Sequence, residues 1–225
     1  MATMISEKVR RPGVDLNLPS VSDARVQNTA LLARVKGIAH LRGWRHVELR
    51  DPYTQGHEAR VARLAKLIAQ EMHLPADEVE GIEMAGLVHD IGKLCVPAEI
   101  LTKSGPLSES EFALIKEHSV AGYAILQDMD FPWPVADIVL AHHERQDGSG
   151  YPDALVGKDI IRGARVLAVA DVVEAMTSQR PYRPALGIEA AVAELTEHRD
   201  KYDPDVVRAF LGLYESGRID LEAAS

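Results

Sequence analysis

The feature that most constrains this chain is a set of polar residues standing where its helices need apolar ones. His57 lies one turn before Val61 on the apolar face of its segment, and His89 lies seven residues, two helical turns, after Ile82. His118 falls between Ile115 and Gly122 at spacings of three and four, and His142 follows Ile138 by four. Asp171 is embedded in Leu167-Ala-Val-Ala-Asp-Val-Val173. A lone core histidine is usually a hydrogen-bonded structural residue, but an ionised carboxylate buried alone costs several kcal/mol. Four segments that each aim an imidazole inward, with another aiming a carboxylate, have one common physical cause: a divalent metal site.

The surrounding pattern is helical throughout. Leu31, Val35, Ile38 and Leu41 form a narrow stripe over 22–44, which suits packing on the main domain or dimerisation. Asp51-Pro52 breaks it. Helices are predicted over 57–73, over 76–93 with Asp77 and Glu78 in the first turn, and from Ser108, where Ser-Glu-Ser-Glu111 reads as a capping box, to about 129. A helix behind Pro132 and Pro134 runs to about 143, a segment apolar on nearly all sides spans 161–178, and two closing helices span 188–199 and 204–214. The run 146–157, with three glycines and one proline, is a loop. There is no period-two alternation and no repeat. The expected fold class is all-α: an irregular 1–20, an additional N-terminal helical segment at 21–48, a helical bundle over 49–215 and a tail at 216–225.

A net charge of −9 lacks the basic field that a nucleic-acid polymer would require, although a small anionic substrate suits a few converging cations. The single cysteine, Cys95, forms no internal disulfide, points to a reducing compartment and is expected as a small core residue. The first 20 residues hold no apolar stretch of signal-peptide type, and nothing approaches the roughly 18 apolar residues of a membrane span. The expected location is cytoplasmic.

Histidine and aspartate donors without cysteine argue against a closed structural zinc site and for a hydrolytic or iron-type centre. His57, His89, Asp90, His118, His142, His143 and Asp171 are too many for one ion. Two ions sharing a carboxylate use them all, and Asp90, adjacent to His89 and central in the set, is the natural bridge.

His89-Asp-Ile-Gly-Lys93 resembles the HD phosphohydrolase core, and His142-His-Glu-Arg-Gln-Asp-Gly-Ser-Gly-Tyr-Pro152 resembles the motif that names the HD-GYP subgroup. Arg50-Asp-Pro-Tyr-Thr-Gln-Gly-His57, Val96-Pro, Lys103-Ser-Gly-Pro-Leu107, Ala170-Asp171, Thr177-Ser-Gln-Arg-Pro-Tyr-Arg183 and Tyr202-Asp-Pro204 match as well, so the resemblance covers about residues 49–213. It implies a helical bundle that linearises cyclic di-GMP to pGpG, with some members continuing to GMP, in bacterial second-messenger signalling. It also implies an iron or manganese centre. His57, His89, Asp90 and Asp171 would hold one ion, Asp90 would bridge, and His118, His142 and His143 would hold the second. Trinuclear members carry a Glu one turn before the first histidine; Tyr53 stands here, so a third metal is not expected. Gln179 stands where the family usually has Asp.

The resemblance places Lys93, Arg180 and Arg183 on the substrate phosphates and Tyr151 on a guanine or a phosphate. Asp90 and Lys93 are the expected catalytic residues. The alternatives are a cyclic di-GMP receptor with little catalysis and another HD-type nucleotide phosphohydrolase. The 48 residues upstream are not expected to hold a receiver or sensor domain of the kind family members often carry there. Control would then fall to a separate regulatory protein, a homodimer through 22–44, or metal supply.

Overall fold

The computed structural model describes residues 56–103, 105–178 and 185–219. The expected segments 1–20 and 21–48, and the positions Tyr53, Gln179, Arg180 and Arg183, lie outside these. Among the described residues the fold is all-α, as the sequence pattern predicts. The helices are α1 (His57–Glu71), α2 (Ala76–Val88), α3 (Ala98–Leu101), α4 (Glu109–Leu126), α5 (Val135–Ala141), α6 (Arg162–Thr177), α7 (Ile188–Glu197) and α8 (Pro204–Glu215). One isolated antiparallel bridge joins Asp147 to Val156 within the predicted loop.

Local chemistry accounts for the boundaries. Ser108 accepts a hydrogen bond from the Glu111 backbone N–H at 3.2 Å, and Glu111 accepts one from the Ser108 N–H at 2.7 Å, the reciprocal capping box that opens α4. Asp203 caps α8, accepting from the Asp205 N–H at 2.8 Å, with Pro204 at the first helical position. α6 is the central helix. Val166, Leu167, Val169, Ala170 and Val173 are buried on it against Val61, Leu64 and Ile68 of α1 and Ile82 and Ala85 of α2. Phe210 of α8 and Leu195 of α7 close the core.

One boundary differs from expectation in a way that matters. The predicted 76–93 helix stops at Val88, and Ile91–Cys95 forms a separate 3-10 helix. In a continuous helix His89 and Asp90 would diverge by about 100° and could not face one cluster. The break, with Asp90 at φ −95° and ψ 6°, turns both toward the centre. It rests on Gly92: a Cβ there would lie 1.8 Å from the His118 carbonyl oxygen, so α4 crosses at a distance only glycine permits. The same turn corrects the expectation for Cys95, which is exposed rather than in the core.

Candidate metal centre

Six elements deliver side chains to one buried point. His57 begins α1, His89 caps α2, Asp90 opens the 3-10 helix, His118 lies midway along α4, His142 caps α5 with His143 after it, and Asp171 lies on α6. His57, His89, Asp90, His118 and His142 are all at most 4% exposed.

Backbone carbonyls orient most of the imidazoles. Nδ1 of His89, His118 and His142 donates to the carbonyls of Gly86, Ile115 and Val139 at 2.8, 2.7 and 2.6 Å. A carbonyl can only accept, so each Nδ1 carries the proton and each Nε2 presents a lone pair. His57 is oriented by a carboxylate instead, its Nδ1 bonding to Glu174. Glu174 is itself held by Arg60 Nε at 2.6 Å and Ser178 Oγ at 2.6 Å.

The Nε2 atoms converge on the two aspartates. Asp90 Oδ2 lies 3.5 Å from His89 Nε2 and 3.8 Å from His57 Nε2, while its Oδ1 lies 3.6 Å from His118 Nε2. Asp171 Oδ1 lies 3.4 Å from His57 Nε2 and 4.0 Å from His89 Nε2. Three donor sets have ligand atoms within 4.8 Å of one another: His118, His142 and His143; His57, His89 and Asp171; and His89, Asp90 and His142. The donor chemistry fits divalent cations. The Nε2 atoms of His118 and His142 face each other at 3.4 Å with both Nδ1 protons committed elsewhere, so two lone pairs meet. A shared cation turns that repulsion into attraction.

Electrostatics agree with this reading. Burial and the neighbouring imidazoles push His142 well below the ordinary histidine range, and burial takes His143 down to about 3. Burial likewise lowers His118. All three are therefore neutral donors at pH 7. Burial would raise the Asp90 carboxyl, but Lys93, His89 and His118 hold it well below the usual carboxylate range. Lys93 Nζ bonds Asp90 Oδ2 at 2.7 Å.

The loop after His143 folds back over the cluster. Tyr151 stacks on His143, with ring centroids 4.7 Å apart and 27° between planes. Gly150 lets the chain pass, since a Cβ there would meet the Glu144 Cα at 2.4 Å. The Tyr151-Pro152 bond is cis. The structure thus brings together His57, His89, Asp90, Lys93, His118, His142, His143, Tyr151 and Asp171, while Arg180 and Arg183 lie outside the described residues.

Sequence reasoning missed three buried acids. Glu174 follows Asp171 by three and shares its inward face, a signal open to the same spacing argument. Glu144 accepts from the backbone N–H groups of Asp153 and Leu155. Glu58 is 5% exposed, and its Oε1 makes no hydrogen bond among the described residues. Burial and the charge of Asp90 raise its carboxyl above the ordinary range.

Comparison with known proteins agrees with this geometry. The HD domain family matches residues 45–206. The chain is 39% identical, over 96% of its length, to the cyclic di-GMP phosphodiesterase response regulator RpfG of Xanthomonas campestris pv. campestris, and spans 56% of that protein. It is 41% identical, over 63% of its length, to 3'3'-cGAMP-specific phosphodiesterase 1 of Vibrio cholerae, and spans 33% of it. The structure of Bd1817, a HDG"Y"P protein from Bdellovibrio bacteriovorus, aligns with a TM-score of 0.58 at 21% identity, covering 71% of this chain and 51% of that one. That likeness shows the fold.

Proposed function

The chain belongs to the HD-domain family, in its HD-GYP branch, and on that premise we propose that it is a metal-dependent phosphodiesterase that linearises cyclic di-GMP. The observation that carries the reading is the convergence of His57, His89, Asp90, His118, His142, His143 and Asp171 beneath Tyr151. His57, His89, Asp90 and Asp171 would hold one ion and His118, His142 and His143 a second, with Asp90, whose two oxygens turn toward different imidazoles, shared between them. Iron or manganese suits these nitrogen and oxygen donors. Divalent ions held there would supply positive charge for a phosphoryl oxygen and lower the pKa of water.

The residues of the chain do the positioning. Lys93, anchored on Asp90, places an ammonium beside a phosphate oxygen. The Tyr151 ring rests on His143, so its hydroxyl is the group that turns to the ligand. Burial pushes that phenol above its ordinary value, so it donates a hydrogen bond rather than repelling a phosphate. Arg180 and Arg183 supply further cations to the phosphates. The lone cysteine suits reaction in the cytoplasm, and among the described residues no helix is long and apolar enough to cross a membrane.

The test is product analysis with protein loaded anaerobically with iron or manganese, metal per chain counted and cyclic di-GMP followed to pGpG or GMP. The H89A/D90A double variant is expected to lose both metal and turnover; turnover retained in that variant sinks the proposal. The likeness to a 3'3'-cGAMP-specific enzyme favours a second reading, in which the mixed dinucleotide is preferred. Comparing kcat/KM for the two substrates decides between them.

A further inference from the structure

Lys116 is a cation at this site that no step above employs. It lies two residues before His118 on α4, half-buried, with Nζ 5.3 Å from the Tyr151 ring centroid and 4.8 Å from that of Phe112. Tyr151 in turn lies against His143. The ammonium therefore stands over the aromatic ring that covers the edge of the histidine cluster.

Its neighbours among the described cations are committed. Lys93 bonds Asp90 at 2.7 Å, Arg60 bonds Glu174 at 2.6 Å, and Arg145 donates to the carbonyls of Glu144 and His142 at 3.0 and 3.4 Å. Among the described residues no acid lies within ion-pair reach of Lys116. Aromatic faces attract a cation through their quadrupole but do not saturate its three N–H donors. An ammonium so held is pre-positioned, half-desolvated and still able to donate to an anion.

The two lysines mark different ends of the cluster. Lys93 sits on Asp90 Oδ2, the oxygen that faces His57 and His89. Lys116 sits at the end formed by His118, His143 and Tyr151. A cyclic dinucleotide carries two phosphodiesters, of which one reacts at a time. The geometry points to Lys116 as the residue that binds the second, non-reacting phosphate of the substrate. This rests on the phosphodiesterase reading above and makes the site selective for ligands with two phosphates over simple diesters.

The test uses K116M, which keeps an apolar chain between Phe112 and Tyr151, and K116R, which restores charge. Metal per chain is counted for each. Three readouts are compared with the unaltered protein: affinity for the slowly hydrolysed phosphorothioate analogue of cyclic di-GMP, KM and kcat for cyclic di-GMP, and turnover of bis(p-nitrophenyl) phosphate, which has one phosphate. K116M is expected to weaken analogue binding and raise KM by roughly 10- to 100-fold, the loss of one charge-assisted hydrogen bond. Its kcat, metal content and bis(p-nitrophenyl) phosphate turnover should hold, and K116R should recover most of the affinity. Unchanged analogue affinity in K116M overturns the assignment, as does an equal loss on both substrates, which would place Lys116 at the reacting phosphate. Unaltered protein that cleaves bis(p-nitrophenyl) phosphate but neither binds nor cleaves a cyclic dinucleotide defeats the cyclic di-GMP reading and this one together. Cleavage of cyclic di-GMP with K116M unaffected defeats the Lys116 assignment alone.

Discussion

The Glu144 carboxylate accepts a hydrogen bond from the backbone N–H of Asp153 at 2.7 Å, tying the residue after His143 to the far side of the Tyr151 loop. Its other oxygen accepts from the Leu155 N–H at 3.0 Å. Glu144 is 2% exposed, so both bonds form away from water. Hydrogen bonds to charged groups contribute about 1.5–3 kcal/mol each, less whatever the freed loop regains from solvent. E144A should therefore lower unfolding free energy by about 2–4 kcal/mol. E144Q, which keeps one acceptor, should cost less. Urea denaturation measures both, and hydrogen exchange at the Asp153 and Leu155 amides should quicken in E144A before any global unfolding.

Glu174 plays the corresponding part for His57. It fixes the ring by bonding Nδ1, which leaves Nε2 turned to Asp90 and Asp171. Carboxylates of this kind orient metal-binding imidazoles, and their loss typically costs about 10- to 100-fold in affinity. E174A should weaken iron or manganese binding by that factor in a competitive chelator titration. E174Q, whose amide oxygen still accepts from His57, should fall between. An E174A protein that is folded by circular dichroism and binds metal normally would contradict this role.

Much of the arrangement could be read from the residues. The inward histidines stood out because each occupied a heptad-like core position beside an apolar neighbour, as His142 does after Ile138. The Ser108 capping box was legible because it is entirely local. The break at His89 was not. Nothing within 76–93 forbids a continuous helix, and the cause lies in α4, whose His118 carbonyl crowds Gly92 from 26 residues away. Glu144 was hidden for a similar reason, since its partners are backbone N–H groups, which leave no mark in the side-chain pattern. Lys116 is likewise set apart only by the fold, which brings the Tyr151 ring to within 5.3 Å of its Nζ.

That crowding makes Gly92 a sharp test of the fold. A methyl group at 92 would sit 1.8 Å from the His118 carbonyl oxygen and 2.6 Å from the Gly122 nitrogen, both backbone atoms that no rotamer change can clear. Overpacking of this sort costs about 1–3 kcal/mol and more where backbone must move. G92A should lower the melting temperature and, by pushing α4 away, separate His118 from Asp90, which stand 3.6 Å apart. Metal content should drop even in material that remains folded. A G92A protein with unaltered melting temperature and metal content would show that α4 does not approach this closely.

Metal-free protein should be most stable near pH 6.5, for reasons that differ on the two sides. His143 has its folded pKa depressed from 6.5 to about 3 by burial, and His142 and His118 are lowered as well. The unfolded chain takes up these protons as pH falls below about 6.5 while the folded chain does not. Stability therefore declines with acid, by about 1.4 kcal/mol per pH unit for each such histidine. Asp90 and Asp171, held well below 3.8, add a further loss as pH drops through the carboxylate range. His57 works in the opposite direction. Burial lowers its pKa, but Asp171 and Glu174 outweigh this and raise it to about 10. Its contribution is complete below pH 6.5 and is lost as pH climbs toward 10. Urea midpoints of chelator-treated protein between pH 5 and 9 should pass through a maximum, and H57Q should flatten the alkaline side while leaving the acid side steep. An alkaline limb that survives in H57Q would place the responsible proton on another group.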